Sequence, residues 1–86
     1  MLDDFDDVRL RDLVLLDRLV ELGTITAAAR ELGVPKPTAS RWLAALETRV
    51  GSPLVLRGAR RAELTERGRA FHQALQPLLA GARTLR

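Results

Sequence analysis

The chain has no cysteine and no tyrosine, one histidine, one tryptophan and two phenylalanines among its 86 residues. Without cysteine there is neither a disulfide framework nor a thiolate metal site. With aromatics at 3%, the core has to be aliphatic, built from Leu, Val and Ala. A lone histidine, no glycine-rich phosphate loop and no carboxylate pair facing a pocket leave little for catalysis. The sequence does not read as an enzyme, and no catalytic residue, cofactor or metal ligand is expected. The four N-terminal aspartates read as a solvated tail rather than a metal cluster. Long hydrophobic runs are also missing. The longest obvious one is Leu13-Val14-Leu15-Leu16, and the opening Met1-Leu2-Asp3-Asp4 has no basic region. Neither a signal peptide nor a membrane span fits, so the expected location is cytoplasmic.

What remains is short and basic. A domain of this length buries only about 60–65% of its unfolded surface, and small domains without staples often gain stability by oligomerising. The net charge is +3, but it is unevenly placed. Residues 1–7 hold four acids and no base, so the rest of the chain sets fourteen bases against seven acids. Between Val34 and Arg61 stand six bases (Lys36, Arg41, Arg49, Arg57, Arg60 and Arg61) and one acid, Glu47. Such a segment suits a polyanion, because it releases counterions condensed on phosphate.

The pattern of elements is mainly helical. Leu10, Leu13, Leu16, Leu19 and Val20 recur at helical spacing from Val8 to Leu22, with Asp6 or Asp7 as caps and Gly23 as the stop. Thr24 or Thr26 caps a second helix, short and alanine-rich, that ends at Leu32 before Gly33. Val34-Pro35-Lys36-Pro37 is a connector, because each proline turns the preceding residue away from the helical region. Pro37 suits the first turn of a third helix that runs to about Val50. Two helices joined by a short turn containing glycine form a helix-turn-helix pattern. Beyond Gly51, Leu54–Leu64 reads as a two-stranded hairpin, with Arg57, Arg60 and Arg61 near its tip.

At roughly 100° per residue, Ala39, Leu43, Leu46 and Val50 share the core face of the third helix. Pro37, Arg41, Ala44 and Thr48 lie opposite, flanked by Thr38 and Ser40. Small residues around one arginine suit a helix that enters a DNA major groove, where arginine forks onto guanine or grips phosphate and hydroxyls donate to phosphate oxygens. Trp42 either fills the edge of the core near the hairpin or touches DNA. In the last helix, Leu64, Phe71, Leu75, Leu78, Ala82 and Leu85 alternate spacings of three and four with Gly68 as a small position, a period of about 3.5 residues. This narrow seam favours pairing with a partner helix over packing on its own domain. Pro77 is expected to kink the helix, and His72 reads as a surface residue beside the seam.

The ordered set Leu10, Leu13, Leu16, Glu21–Val34, Pro37–Arg41, Leu46-Glu47, Gly51–Leu54, Arg57 and Leu64–Gly68 resembles the start of LysR-type transcription regulators. The resemblance implies a winged helix-turn-helix over 1–64 and a linker helix over 65–86 that dimerises antiparallel with its twin. It implies that Lys36, Pro37, Ser40 and Arg41, with Arg57 of the wing, touch DNA, and that Thr26 reaches phosphate. Thr38, Arg60 and Arg61 join them from the reading of the residues. Phe71, Leu75, Leu78, Ala82 and Leu85 would form the dimer interface. The expected ligand is double-stranded DNA carrying an interrupted inverted repeat. The family usually has glutamine where Lys36 stands, and a polar residue where Trp42 stands. The aromatics common at Leu16, Ile25 and Val55 are aliphatic here. The family's effector-sensing region has no counterpart in these 86 residues, so no effector site is expected in them. The competing reading is a winged helix used only to pair with proteins. It would call for an apolar or acidic outer face on the third helix, against the Ser40 and Arg41 face present.

Overall fold

A computed structural model describes residues 8–56 and 60–85. Four helices carry most of that length: α1 Leu10–Leu22, α2 Ile25–Leu32, α3 Lys36–Val50 and α4 Glu66–Thr84. The first three each close on a glycine with left-handed backbone, Gly23, Gly33 and Gly51. The Thr24 hydroxyl caps α2 by accepting the Ala27 N–H at 3.1 Å, so α2 begins earlier than Thr26. Thr65 caps α4 in the same way, accepting the Gly68 N–H at 2.9 Å. The cap position of α1 is Arg9, whose side chain makes no capping bond. Asp6 and Asp7, expected there, lie outside the described residues. α3 starts at Lys36, which places Pro37 in its first turn.

α1 is the centre of the fold and packs on α2, α3 and α4, while α2 also packs on α3. Its Leu13, Leu15, Leu16 and Leu19 are buried with Ala28 and Ala29 of α2, and with Ala39, Leu43 and Leu46 of α3. The alanines of α2 let the neighbouring helices approach closely. Val50, Trp42 and Phe71 pack against this aliphatic core from its edges.

The segment after α3 is tied down by polar contacts rather than by a sheet. The Glu47 carboxylate accepts the backbone N–H groups of Leu54 (2.7 Å) and Val55 (3.2 Å). Val55 and Leu64 form one antiparallel bridge, and the Leu56 N–H donates to the Glu63 carbonyl at 2.8 Å. Among the described residues this bridge takes the place of the expected two-stranded hairpin. The Ala62 N–H goes to the Gly23 carbonyl at 2.7 Å, so the returning segment docks on the α1–α2 turn rather than extending a ladder. The tip, with Arg57, lies outside the described residues.

α4 runs unbroken through Pro77 to Thr84. It lays Gly68, Leu75 and Leu79 on the core. The expected seam is therefore divided. Leu75, at 5% exposure, belongs to the chain's own core, and Phe71 leans on that core. Leu78 and Leu85 are 57% and 89% exposed. Ala82 lines a groove of about 430 Å³ shared with Leu10, Val14 and Leu32. Leu79, outside the 3.5-residue pattern, is buried because α4 also packs on α1.

Candidate nucleic-acid interface

A second groove, of about 320 Å³, opens between the start of α2, the first half of α3 and the returning segment. Thr26, Lys36, Ser40 and Arg60 all line it, with Thr24 beside them. Four residues scattered over 35 positions of sequence thus converge on one polar, cationic cleft. The floor is apolar, formed by Leu19, Ile25, Leu43 and Val55. That floor fixes the positions of the polar rim.

The exposed ridge of α3 continues from this cleft. Lys36, Pro37, Arg41, Ala44 and Thr48 are exposed. Thr38 is half-buried, and its hydroxyl accepts a hydrogen bond from the Arg41 guanidinium at 3.2 Å. The bond restrains a long side chain in the second turn of α3 and leaves most of its donors free for a ligand. Arg61 stands against the α1–α2 turn, with its guanidinium where a Cβ on Gly23 would project. It is exposed, but unlike Arg60 it does not line the cleft.

The pattern of the bacterial regulatory helix-turn-helix protein, lysR family, matches residues 10–69. The chain belongs to that family. The transcriptional regulator LinR of Sphingobium indicum is 44% identical over 82 residues, which is 95% of this chain and 27% of LinR. A complex of BenM_DBD with catB site 1 DNA superposes with a TM-score of 0.84 at 32% identity, covering 90% of this chain and 86% of that one. The full-length Vibrio cholerae virulence activator AphB gives 0.81 at 34% identity, covering 90% of this chain and 27% of AphB. The fold is therefore that of a LysR-type DNA-binding domain, and the chain spans about a quarter of the length of LinR.

Reading the residues alone missed three features of this lysR-family chain. Trp42 packs at the edge of the core, as one of its two readings had it, but its contact with α1 was not foreseen: the Arg11 guanidinium lies 4.4 Å from its ring centroid. Its helical angle, off the core centre and away from Ser40, was the available signal. Glu47 was read as a lone acid in a basic run, whereas it pins the segment after α3. His72 is not a free surface residue. Its Nε2 lies 3.0 Å from Asp17 Oδ1, and Gln76 Nε2 donates to the same oxygen at 3.1 Å. Arg83 approaches Asp17 Oδ2 at 3.4 Å. Burial alone would push the Asp17 carboxyl up, but the hydrogen bonds from Gln76 and His72, with the charges of His72 and Arg83, bring it below the usual carboxylate range.

Proposed function

We propose that this chain is the DNA-reading part of a transcription regulator and binds double-stranded DNA sequence-specifically as a homodimer. Its winged helix-turn-helix would occupy residues 1–64 and its linker helix 65–86. The observation that carries the reading is the cleft where Thr26, Lys36, Ser40 and Arg60 converge beside the exposed Arg41 ridge. α3 enters the major groove, with Arg41 reading a base edge. Pro37 lets the first turn come close, and Thr38 holds Arg41. Lys36, Ser40 and Thr26 meet phosphates along the cleft side, and Arg57, Arg60 and Arg61 hold flanking backbone or a minor groove. Two copies joined through α4 place two such helices on an interrupted inverted repeat. The family's effector site belongs to a region outside these residues. No described helix is long and apolar enough to cross a membrane. Action in the cytoplasm is part of the proposal and rests on the DNA-binding family.

The test is a fluorescence-anisotropy titration against a pool of duplexes from low to physiological salt. Selective binding with a steep inverse salt dependence is the expected result. Arg41→Ala is expected to cost about 1–3 kcal/mol on the preferred duplex and to relax base preference. A folded chain that binds no duplex at any salt would sink the reading.

A further inference from the structure

A helix seated in the major groove has a phosphate backbone on each side. The cleft accounts for one side of α3, through Lys36, Ser40 and Arg60. At roughly 100° per residue, the other flank of α3 presents Thr38, Trp42 and Arg49. There α1 supplies a cation. The Arg11 guanidinium lies over the Trp42 ring at 4.4 Å, on a side chain that is half exposed. Its nearest described ion-pair partner is Asp12, whose Oδ1 is 3.7 Å from Arg11 Nε, beyond hydrogen-bond length. Asp12 is itself buried, and that Oδ1 has no hydrogen-bond partner among the described residues. The stacked guanidinium therefore has one face against the indole and its Nε edge toward Asp12, on a side chain that remains half exposed.

We infer that Arg11 is a phosphate contact on the α1 side of the recognition helix and that Trp42 is its positioning residue. The inference rests on α3 being the groove-entering helix. Stacking on an indole face restrains a side chain that is otherwise costly to order, so more of each phosphate hydrogen bond is retained as affinity. Clamping on both flanks also fixes how far α3 turns about its own axis in the groove, which decides where Arg41 points. Trp42 thereby influences base reading without touching a base.

The experiment is a salt series of affinities for a random-sequence duplex pool, with the full chain and with Arg11→Ala, Arg11→Gln, Arg11→Lys and Trp42→Leu. Arg11→Ala and Arg11→Gln are expected to weaken binding several-fold for all sequences and to lower the salt slope by about one. Arg11→Lys is expected to keep the slope, since the charge remains. Trp42→Leu is expected to weaken binding less, and to add nothing once Arg11 is alanine. A purely structural role would change stability and leave the slope alone. An unchanged slope in folded Arg11→Ala overturns the inference while DNA binding by the parent chain stands. Unfolding of both Arg11→Ala and Arg11→Gln assigns Arg11 to the fold and overturns it too. A parent chain that binds no duplex overturns the underlying reading as well.

Discussion

At Gly68 the backbone of α4 comes directly against the segment that follows α3. A Cβ there would collide with the Leu54 carbonyl oxygen. The approach is fixed from both sides. The Thr65 N–H donates to that same carbonyl at 3.0 Å, and the Thr65 hydroxyl donates to the Pro53 carbonyl at 2.8 Å. The Thr65–Gly68 pair of the family pattern is thus one device. The threonine caps α4 and staples it to residues 53–54, and the glycine makes room for the staple. Gly68→Ala replaces a poor helix former with the best one, which on an isolated helix would stabilise by about 1 kcal/mol. The collision is backbone against Cβ and cannot be relieved by a rotamer change. The expected result is therefore net destabilisation of about 1–3 kcal/mol, read as a lower urea midpoint. A rise in midpoint would show that the approach is looser than the distances imply.

Between elements, the contact with most polar detail is α1 against α4. Asp17 is buried on α1, and three residues of α4 converge on it: His72, Gln76 and Arg83. These partners span three turns of α4, so the cluster sets the angle of that helix on the domain as well as its closeness. The carboxyl is lower in the folded chain than in the unfolded one. Its contribution is thus fully present above the ordinary carboxylate pKa of about 3.9 and is lost as pH falls through the lowered folded value. Asp17→Asn is expected to lower Tm at neutral pH and to converge with the parent chain in acid, checked by thermal melts across pH. A constant gap would mean that the carboxylate charge contributes nothing. The cluster also marks where sequence reading stops. The glycine stops, the start of the last helix at about residue 65 and the core face of α3 are local, set by residues within one or two turns, and were legible; the cap of α2 was left open between Thr24 and Thr26 and is Thr24. The docking of α4 is tertiary. Periodicity grouped Phe71, Leu75, Leu78, Ala82 and Leu85 into one seam because it counts apolar spacing without knowing which arc α1 covers. His72 looked like surface because its partner lies 55 positions away. The cleft residues were legible individually, but their convergence depends on Ala62 bonding to Gly23.

For the whole molecule, the division of α4 decides what a second copy can use. With Leu75 and Leu79 committed inward, the outward arc holds Ala70, Ala74, Pro77, Leu78, Gly81 and Leu85, all exposed. At roughly 100° per residue these fall within about a third of the helix circumference. Small residues along such an arc let two helix backbones come close, and a Cβ on Gly81 would meet nothing within the chain itself. The two Leu side chains would then supply most of the apolar area. The recognition ridge and the cleft are built from α2, α3 and the returning segment. Pairing through the outward arc of α4 therefore leaves the residues proposed to face DNA uncovered. Within the proposed homodimer, Leu78 separates assembly from folding, because it lies inside α4 on the outward arc and is 57% exposed in the single chain. Leu78→Glu would place a charge in the helix–helix contact, where burial without a partner is costly. The parent chain is expected to sediment as a dimer, and Leu78→Glu as a monomer with an unchanged thermal melt at low concentration. On duplexes carrying two half-sites the variant should lose the affinity gained from joining two readers, while binding to a single half-site stays the same. A variant that remains dimeric would move the interface off this arc. The groove beside Ala82, where Leu10 and Val14 of α1 meet the end of α4, is then the next surface to substitute.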